Sequence, residues 1–304
     1  MYFLRRLVLM LPLLLLISFL AFVLVRIAPG GPFDRERKPA SPEIERQLQA
    51  KYHLNEPSWR QYLRFLSDLA HGDFGVSLQY RSHTVNDIIR QALPVSASLG
   101  ILAFGFTMGL GLPVGFFSAV RRGKWEDYAG SFLAILAVCV PGFVVAPLWI
   151  MILAIHWHLL PVALWTSPSH VVLPVLALGL YFSGRVARLL REGMLNVLPL
   201  EFITTARAKG LSENALLLKH ALPMAMLPVV SYCGPLLADL LTGSFVIETI
   251  FQIPGVGAFF VNGSLNRDYT LVVGLVMLYA ALLVLLNLVV DFVYVLLDPR
   301  VRYE

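Results

Sequence analysis

Six long, almost uncharged runs of residues constrain the fold of this 304-residue chain more than any other feature. A helix that crosses the ~30 Å hydrocarbon core of a bilayer needs about 20 apolar residues. The runs that approach or exceed this length are residues 7–25, 95–120, 128–155, 171–190, 221–247 and 270–290. The fourth contains Arg185 and Arg188, and the fifth is interrupted only by Asp239. Only 14% of the residues are charged, against about 25% in an average soluble domain. We therefore predict an all-α integral membrane protein with six transmembrane helices.

The first run could instead be a secretory signal, because Arg5 and Arg6 form a basic segment in front of it. Residues 7–25, however, form a longer run than the about 7–15 apolar residues of a signal core, and no small-residue cleavage pattern follows. We therefore interpret the run as an uncleaved first transmembrane helix.

The distribution of basic residues indicates how the helices are oriented. Cytoplasmic loops of membrane proteins are enriched in lysine and arginine, a rule that holds for loops shorter than about 60 residues. Lysine and arginine recur in the short loops on the same side of the membrane as the N-terminus. On the other side, the short loops 156–170 and 248–269 contain a single such residue, Arg267. We expect both termini in the cytoplasm and the long segment 28–93 on the outside.

The outer segment 28–93 contains the signals of three short helices. Residues 41–43 (Ser-Pro-Glu) are typical of a helix N-terminus. Pro57 precedes an apolar helix face that ends at Gly72, and residues 84–87 (Thr-Val-Asn-Asp) resemble a capping box. The apolar faces of these helices have two possible partners, the bilayer surface or another subunit.

The cytoplasmic loop 195–221 is too polar to enter the bilayer and too patterned for a plain linker. Glu201–Ala208 has the composition of a good helix, and Gly210 supplies a left-handed C-terminal stop. Ser212 can then cap a second helix, Glu213–His220. We expect these two helices to protrude as a knob, which is a natural docking element for a groove in a partner protein.

Residues 204–210 of this loop read Thr-Thr-Ala-Arg-Ala-Lys-Gly, and His-Ala-Leu-Pro follows after nine more residues. This arrangement resembles the "EAA" loop of binding-protein-dependent ATP-binding-cassette (ABC) permeases, Glu-Ala-Ala, three residues, Gly, nine residues, Ile-x-Leu-Pro. The residues that match at the family spacing are Ala206, Gly210, Leu222 and Pro223. Thr204, Thr205 and His220 replace the glutamate, the first alanine and the isoleucine, in agreement with the form of the peptide branch.

Further short motifs agree with the same branch of the family. They lie at residues 26–30, 61–62, 71–75, 85–87, 248–251, 254–257, 266–269 and 298–300. The chain is therefore similar, from end to end, to the first permease subunit of oligopeptide and dipeptide importers.

The resemblance implies a subunit that translocates short peptides from the periplasm to the cytoplasm across the bacterial inner membrane. Oligopeptides are the cargo that it favours. Its implied partners are a second homologous permease, two ABC ATPases, a periplasmic peptide-binding protein and membrane lipid. Dipeptides, glutathione and nickel chelates are alternative cargoes. No Gly-x4-Gly-Lys-Ser/Thr segment occurs in the chain. We therefore expect ATP and magnesium in the partner ATPases, and neither an enzyme activity nor a cofactor in this subunit.

The resemblance also assigns the contact with the ATPase to residues 201–223. The residues expected to form it are Thr204, Thr205, Ala206, Arg207, Ala208, Lys209, Gly210, Leu222 and Pro223. The implied domains are the first transmembrane helix (1–27), a periplasmic helical segment (28–93), a five-helix core (94–298) that carries the coupling loop 195–221, and a cytoplasmic tail (299–304).

Two further groups of residues are candidate sites. Asp239 is an acid inside an apolar run, where a charge is costly and is a functional candidate by default. It could meet the amino group of a peptide in the pathway, or form a hydrogen bond between helices. The outer loop before the sixth run could gate the pathway, dock the binding protein or cover the pore mouth. Its candidate residues are Pro254, Gly255, Gly257, Asn266 and Asp268.

Other classes of function lack their sequence signals. An ion-coupled secondary transporter, the main alternative, usually has internal repeats and several charges at mid-membrane depth; we find one such acid and no evident repeat. His156, His158 and His170 lack the nearby cysteine or acid of a metal site, so we predict no metal. The basic residues lie at the ends of apolar runs, which argues against nucleic-acid binding.

Overall fold

The computed structural model describes residues 2–27, 55–80, 83–242 and 244–297, and in these ranges the secondary structure is helical apart from turns and one isolated bridge between Val76 and Thr84. The helices are α1 (Tyr2–Ile27), α2 (Ser58–Ala70), α3 (Val85–Val120), α4 (Trp125–Cys139), α5 (Gly142–Trp149), α6 (Ser169–Val197), α7 (Glu201–Ala208), α8 (Glu213–Ala215), α9 (Leu222–Ala225), α10 (Leu227–Leu241), α11 (Phe245–Ile250), α12 (Val256–Leu265) and α13 (Tyr269–Leu297). Wider π-helical segments follow α5 at Ile150–His156 and α8 at Leu216–Ala221. The prediction of an all-α membrane protein is confirmed.

Five segments of the described chain are long and apolar enough to cross a membrane as single helices or nearly continuous runs. They are Met10–Ile27, Val85–Val120, Ser169–Val197, Leu227–Ile250 and Tyr269–Val293. The remaining predicted span, 128–155, consists of two helical segments, Trp125–Cys139 and Gly142–His156, that meet at 97°. Six spans result when this bent pair counts as one, and the bend itself was not indicated by the run of apolar residues.

Pro141 explains the bend. A proline lacks the N–H that would continue the helical ladder, and it disfavours helical geometry in the residue before it. Val140 accordingly has an extended backbone, with φ −98° and ψ 111°. Gly142 then lets α5 pack directly on α6, because a Cβ at this position would lie 2.9 Å from the carbonyl oxygen of Ala177.

Two other predicted elements differ from the structure. The capping box at Thr84 and Asp87 is present, but it begins the 36-residue helix α3 and not a separate short helix. The predicted boundary between residues 93 and 94 therefore falls inside α3. In the loop 195–221, the predicted helix Glu213–His220 is α-helical only over Glu213–Ala215 and continues as a π-helix. The predicted helix start at residues 41–43 and the tail 299–304 lie outside the described residues.

Helices α3 and α6 form the centre of the molecule, because small residues let their backbones approach closely. A Cβ on Gly111 would lie 2.8 Å from the carbonyl oxygen of Ser183, and one on Gly115 would lie 2.4 Å from that of Ala187. Close approach at small residues is a main source of helix association in lipid, where water does not drive apolar surfaces together. Helix α10 packs against α3 and α13, and α4 packs against α6.

Helix α2, in the segment predicted to lie outside, packs against α1. The Tyr62 hydroxyl is 2.9 Å from the Ser18 hydroxyl, and its ring packs edge-on against Phe22 with the ring centres 5.1 Å apart. Arg26 donates a hydrogen bond to the Gln61 side chain at 2.5 Å. Part of the apolar face of α2 therefore contacts this chain itself, a partner that the sequence did not indicate.

Candidate functional site

The predicted knob is present in the loop 195–221. Helix α7 has the predicted bounds Glu201–Ala208, and Gly210 has a φ of +82°, the left-handed conformation that ends a helix. The Ser212 hydroxyl accepts a hydrogen bond from the Ala215 N–H at 3.4 Å. The exposed residues of the predicted coupling set are Thr204, Thr205, Arg207, Ala208, Lys209 and Gly210. Most of this set therefore forms a continuous surface that is available to a partner.

Buried side chains attach the knob to the helices that cross the membrane. Ile203 of α7 and Leu216 are fully buried and belong to the same apolar cluster as Leu190 and Met194 of α6. Ala206, Leu222 and Pro223 are only partly exposed, so these members of the predicted set face the body of the protein. A force applied to the exposed surface is therefore transmitted to α6 through close-packed side chains, which deform little.

Arg207 connects the two helices of the knob. Its Nε atom donates to Glu213 Oε1 at 2.6 Å and its Nη2 atom donates to Glu213 Oε2 at 3.2 Å. This two-point geometry matches a planar guanidinium to a carboxylate and fixes their relative orientation. The pKa of Glu213 is lowered and that of Arg207 is raised by this hydrogen bond and the charge attraction. Arg207 thus has a partner within the knob, whereas Lys209 is exposed beside it.

We expect the Arg207–Glu213 pair to be insensitive to pH near neutrality. The pKa of Glu213 is lowered in the folded chain. The contribution of the pair to the free energy of unfolding is therefore complete above the ordinary glutamate pKa, and it is lost as the pH falls through the lowered value. The difference in melting temperature between the wild type and Glu213→Gln should stay constant between about pH 6 and 8 and shrink only in acid. A difference that changes between those two pH values would contradict this assignment.

A second ion pair, which the sequence did not indicate, lies near the same end of α6. Asp127 Oδ1 accepts from Arg191 Nε at 2.7 Å, and Asp127 Oδ2 accepts from Arg191 Nη2 at 3.0 Å. Asp127 Oδ2 also accepts from the Gly123 N–H at 3.0 Å. The start of α4 and the loop before it are therefore joined to α6. Asp127 is buried whereas Arg191 is partly exposed, so loss of Arg191 would leave an uncompensated buried charge.

At the opposite end of the bundle, Glu248 organises the predicted outer turn. Its fully buried carboxylate accepts from the Ser96 hydroxyl at 2.7 Å and from the Gly257 N–H at 2.8 Å. A Cβ on Gly255 would lie 2.5 Å from Glu248 Oε2, and one on Gly257 would lie 2.8 Å from it. Gly255 and Gly257 are therefore needed at these positions, because any side chain there would collide with the Glu248 carboxylate. Sequence reasoning found the turn and a motif that contains Glu248, but it did not predict the contacts of this carboxylate with the turn and with Ser96.

Asp268 has a similar role beside this turn. Its buried carboxylate accepts from the Ser77 hydroxyl at 2.5 Å, from the Gln79 N–H at 3.0 Å and from the Leu271 N–H at 3.1 Å. It therefore caps the start of α13 and holds the outer segment around residue 77 against it. Asn266 is exposed and donates to the carbonyl of Asn262 at 2.7 Å. Of the two predicted outer polar residues, only Asn266 presents a surface to a partner.

Asp239 lies two residues before the end of α10 and near the middle of the apolar span Leu227–Ile250. Its side chain is exposed and accepts a hydrogen bond from the Tyr279 hydroxyl at 2.7 Å. Both residues line a cavity of roughly 430 Å³ between α6, α10, α11, α12 and α13. Gly257 of the predicted outer turn lines the same cavity, so Asp239 and the turn are neighbours, whereas the predicted coupling surface is a separate place along the bundle.

Comparison with known proteins places the chain in a family. Residues 111–303 match the family model described as "Binding-protein-dependent transport system inner membrane component". The oligopeptide transport system permease protein OppB of Escherichia coli K12 is 45% identical over 304 residues, which cover 99% of each chain. OppB of Haemophilus influenzae is 44% identical over 301 residues, 98% of each chain. The dipeptide transport system permease protein DppB of Bacillus subtilis is 41% identical over 301 residues, 99% of this chain and 97% of the relative.

A solved structure shows the same fold. The MetNI methionine ABC transporter, in an inward-facing conformation, matches with a TM-score of 0.57 and 17% identity over 69% of this chain and 96% of the matched chain. The family match covers more than half of the sequence, and the relatives match almost all of it. This chain is a member of the family of binding-protein-dependent transport system inner membrane components.

Proposed function

We propose that this chain is a permease subunit of an ABC importer for short peptides, with oligopeptides as the main cargo. The observation that carries the proposal is the 41–45% identity to peptide permeases over almost the whole chain. Dipeptides, glutathione and nickel chelates are the alternative cargoes. The subunit lies in the bacterial inner membrane with both termini in the cytoplasm, and peptide moves inward from the periplasm.

In the proposed complex, the knob of residues 201–223 inserts into a groove of a partner ATPase. Its exposed surface supplies the contact, and the buried anchors Ile203 and Leu216 transmit ATPase movement to α6. ATP and magnesium bind to the two ATPases, and this chain contributes no chemistry. A second homologous permease completes the pathway, and a periplasmic binding protein delivers peptide near the turn of Pro254, Gly255 and Gly257.

Purification of the assembled complex tests these partners. The tagged chain is extracted from its native membrane in mild detergent, and the co-purifying proteins are identified by mass spectrometry. We expect a second permease with the same family motifs and one or two P-loop ATPases. Recovery of the chain alone or as a homodimer, even after crosslinking, would contradict the proposal and favour an ion-coupled carrier.

A further inference from the structure

The exposed carboxylate of Asp239 indicates which face of the bundle borders the pathway. A charged side chain that faces hydrocarbon costs several kcal/mol, so acids in membrane helices face water-filled cavities or protein partners. Asp239 belongs to the apolar span Leu227–Ile250 and is exposed in the isolated chain. The face of α10 that carries Asp239 therefore does not border lipid.

The surroundings of Asp239 are suited to a cation. Tyr279 donates to Oδ1 at 2.7 Å, and Oδ2 has no hydrogen-bond partner among the described residues. The other walls of the cavity include the aromatic rings of Phe182, Phe245 and Phe260. Aromatic faces attract ammonium groups, and apolar walls strengthen the attraction between an ammonium and a carboxylate. The oriented carboxylate can thus accept hydrogen bonds from a bound ammonium.

A cationic side chain, Arg185, lies beside Tyr232, which precedes Asp239 on α10. The exposed guanidinium of Arg185 stacks over the ring of Tyr232, 5.1 Å from its centre. Tyr232 is within electrostatic range of both Arg185 and Asp239. It precedes Asp239 by seven residues of α10, which is about 10 Å along a helix. An extended tripeptide has about the same length.

We propose that the cavity beside Asp239 and the surface at Arg185 form one groove, which binds the two charged ends of a zwitterionic peptide during translocation. Asp239 and Tyr279 receive the N-terminal ammonium, and Arg185 receives the C-terminal carboxylate. The peptide then enters with its carboxylate directed toward the coupling loop. This inference rests on the proposed function, since it names the part of the pathway that contacts the peptide.

Disulfide trapping tests the orientation. Thr242 lines the same cavity one turn beyond Asp239, so Thr242→Cys places a thiol beside the ammonium site and leaves Asp239 intact. Cys139 and Cys233 are first replaced by serine. The assembled importer is then incubated under turnover with Cys-Ala-Ala or Ala-Ala-Cys under mild oxidation. Leu285→Cys, exposed on α13, serves as the control thiol.

We expect Thr242→Cys to trap Cys-Ala-Ala about tenfold more than Ala-Ala-Cys, a difference of about 1.4 kcal/mol. Adding Asp239→Asn should remove the preference, and the control thiol should trap neither peptide. Equal trapping of the two peptides, no trapping by the Thr242→Cys variant, or a preference that survives Asp239→Asn would overturn the inference.

Uptake by the wild-type complex separates this inference from the proposed function. If the complex imports the same tripeptides with ATP and the trapping preference is absent, only the groove assignment fails. If the complex imports no peptide, the proposed function fails as well.

Discussion

Replacing Gly210 with valine is expected to reduce ATP-driven uptake and the recovery of ATPases strongly while the transmembrane helices stay folded. The backbone at Gly210 has a φ of +82°, where a side chain costs about 1–2 kcal/mol and a β-branched residue is an outlier. No atom lies within 4 Å of the place that a Cβ would occupy, so the strain is confined to the turn of the knob. The angle between the two knob helices changes, and we expect uptake to fall by at least about tenfold.

Two control variants separate the knob from general backbone strain. Gly72 has a φ of +75° and equally open surroundings, but lies in the outer segment. Gly72→Val should therefore retain the ATPases. Gly210→Asn should keep most of the activity, because asparagine tolerates the left-handed conformation. Normal uptake and normal ATPase recovery by Gly210→Val would contradict the role of the knob.

Replacing Glu248 with alanine is expected to give the largest loss of stability. The Ser96 hydroxyl and the Gly257 N–H, both buried, would lose their acceptor, and so would the Ala258 N–H at 3.3 Å. Each buried donor left without a partner costs about 1–3 kcal/mol. We therefore expect the outer turn to come apart and the melting temperature of the purified chain in detergent to fall markedly.

Graded substitutions test whether the carboxylate itself is required. Glu248→Gln keeps the size and one acceptor oxygen, so it should lose less stability than Glu248→Ala. Glu192→Gln changes an exposed acid on α6 and should leave the melting temperature unchanged. A Glu248→Ala variant as stable as the wild type would show that this carboxylate does not hold the turn.

Local sequence signals predicted the knob and the helix caps correctly. The bounds of α7, the left-handed Gly210 and the Ser212 cap depend on residues only a few positions apart. The capping box of Thr84 and Asp87 is equally local. The lengths of the apolar runs likewise predicted the spans, because bilayer thickness sets the required length. Run length ignores the proline at position 141, so the 97° bend was missed.

The polar contacts between helices could not be predicted in the same way. Arg191 and Asp127 are 64 positions apart, and Ser96 and Glu248 are 152 apart. Such pairs depend on which helix faces meet, and one sequence does not specify this. For the same reason, the sequence offered a hydrogen bond between helices as one alternative for Asp239, and the structure shows that bond, but the sequence did not identify Tyr279 as the donor.

Transport by a reconstituted complex tests the central claim most directly. This chain, its partner permease and the ATPases are placed in liposomes that enclose ATP, and the binding protein and a labelled tripeptide are added outside. We predict uptake that requires the enclosed ATP and the binding protein and that survives collapse of the proton gradient. Uptake that is driven by a proton gradient without ATP would contradict the account and identify an ion-coupled carrier.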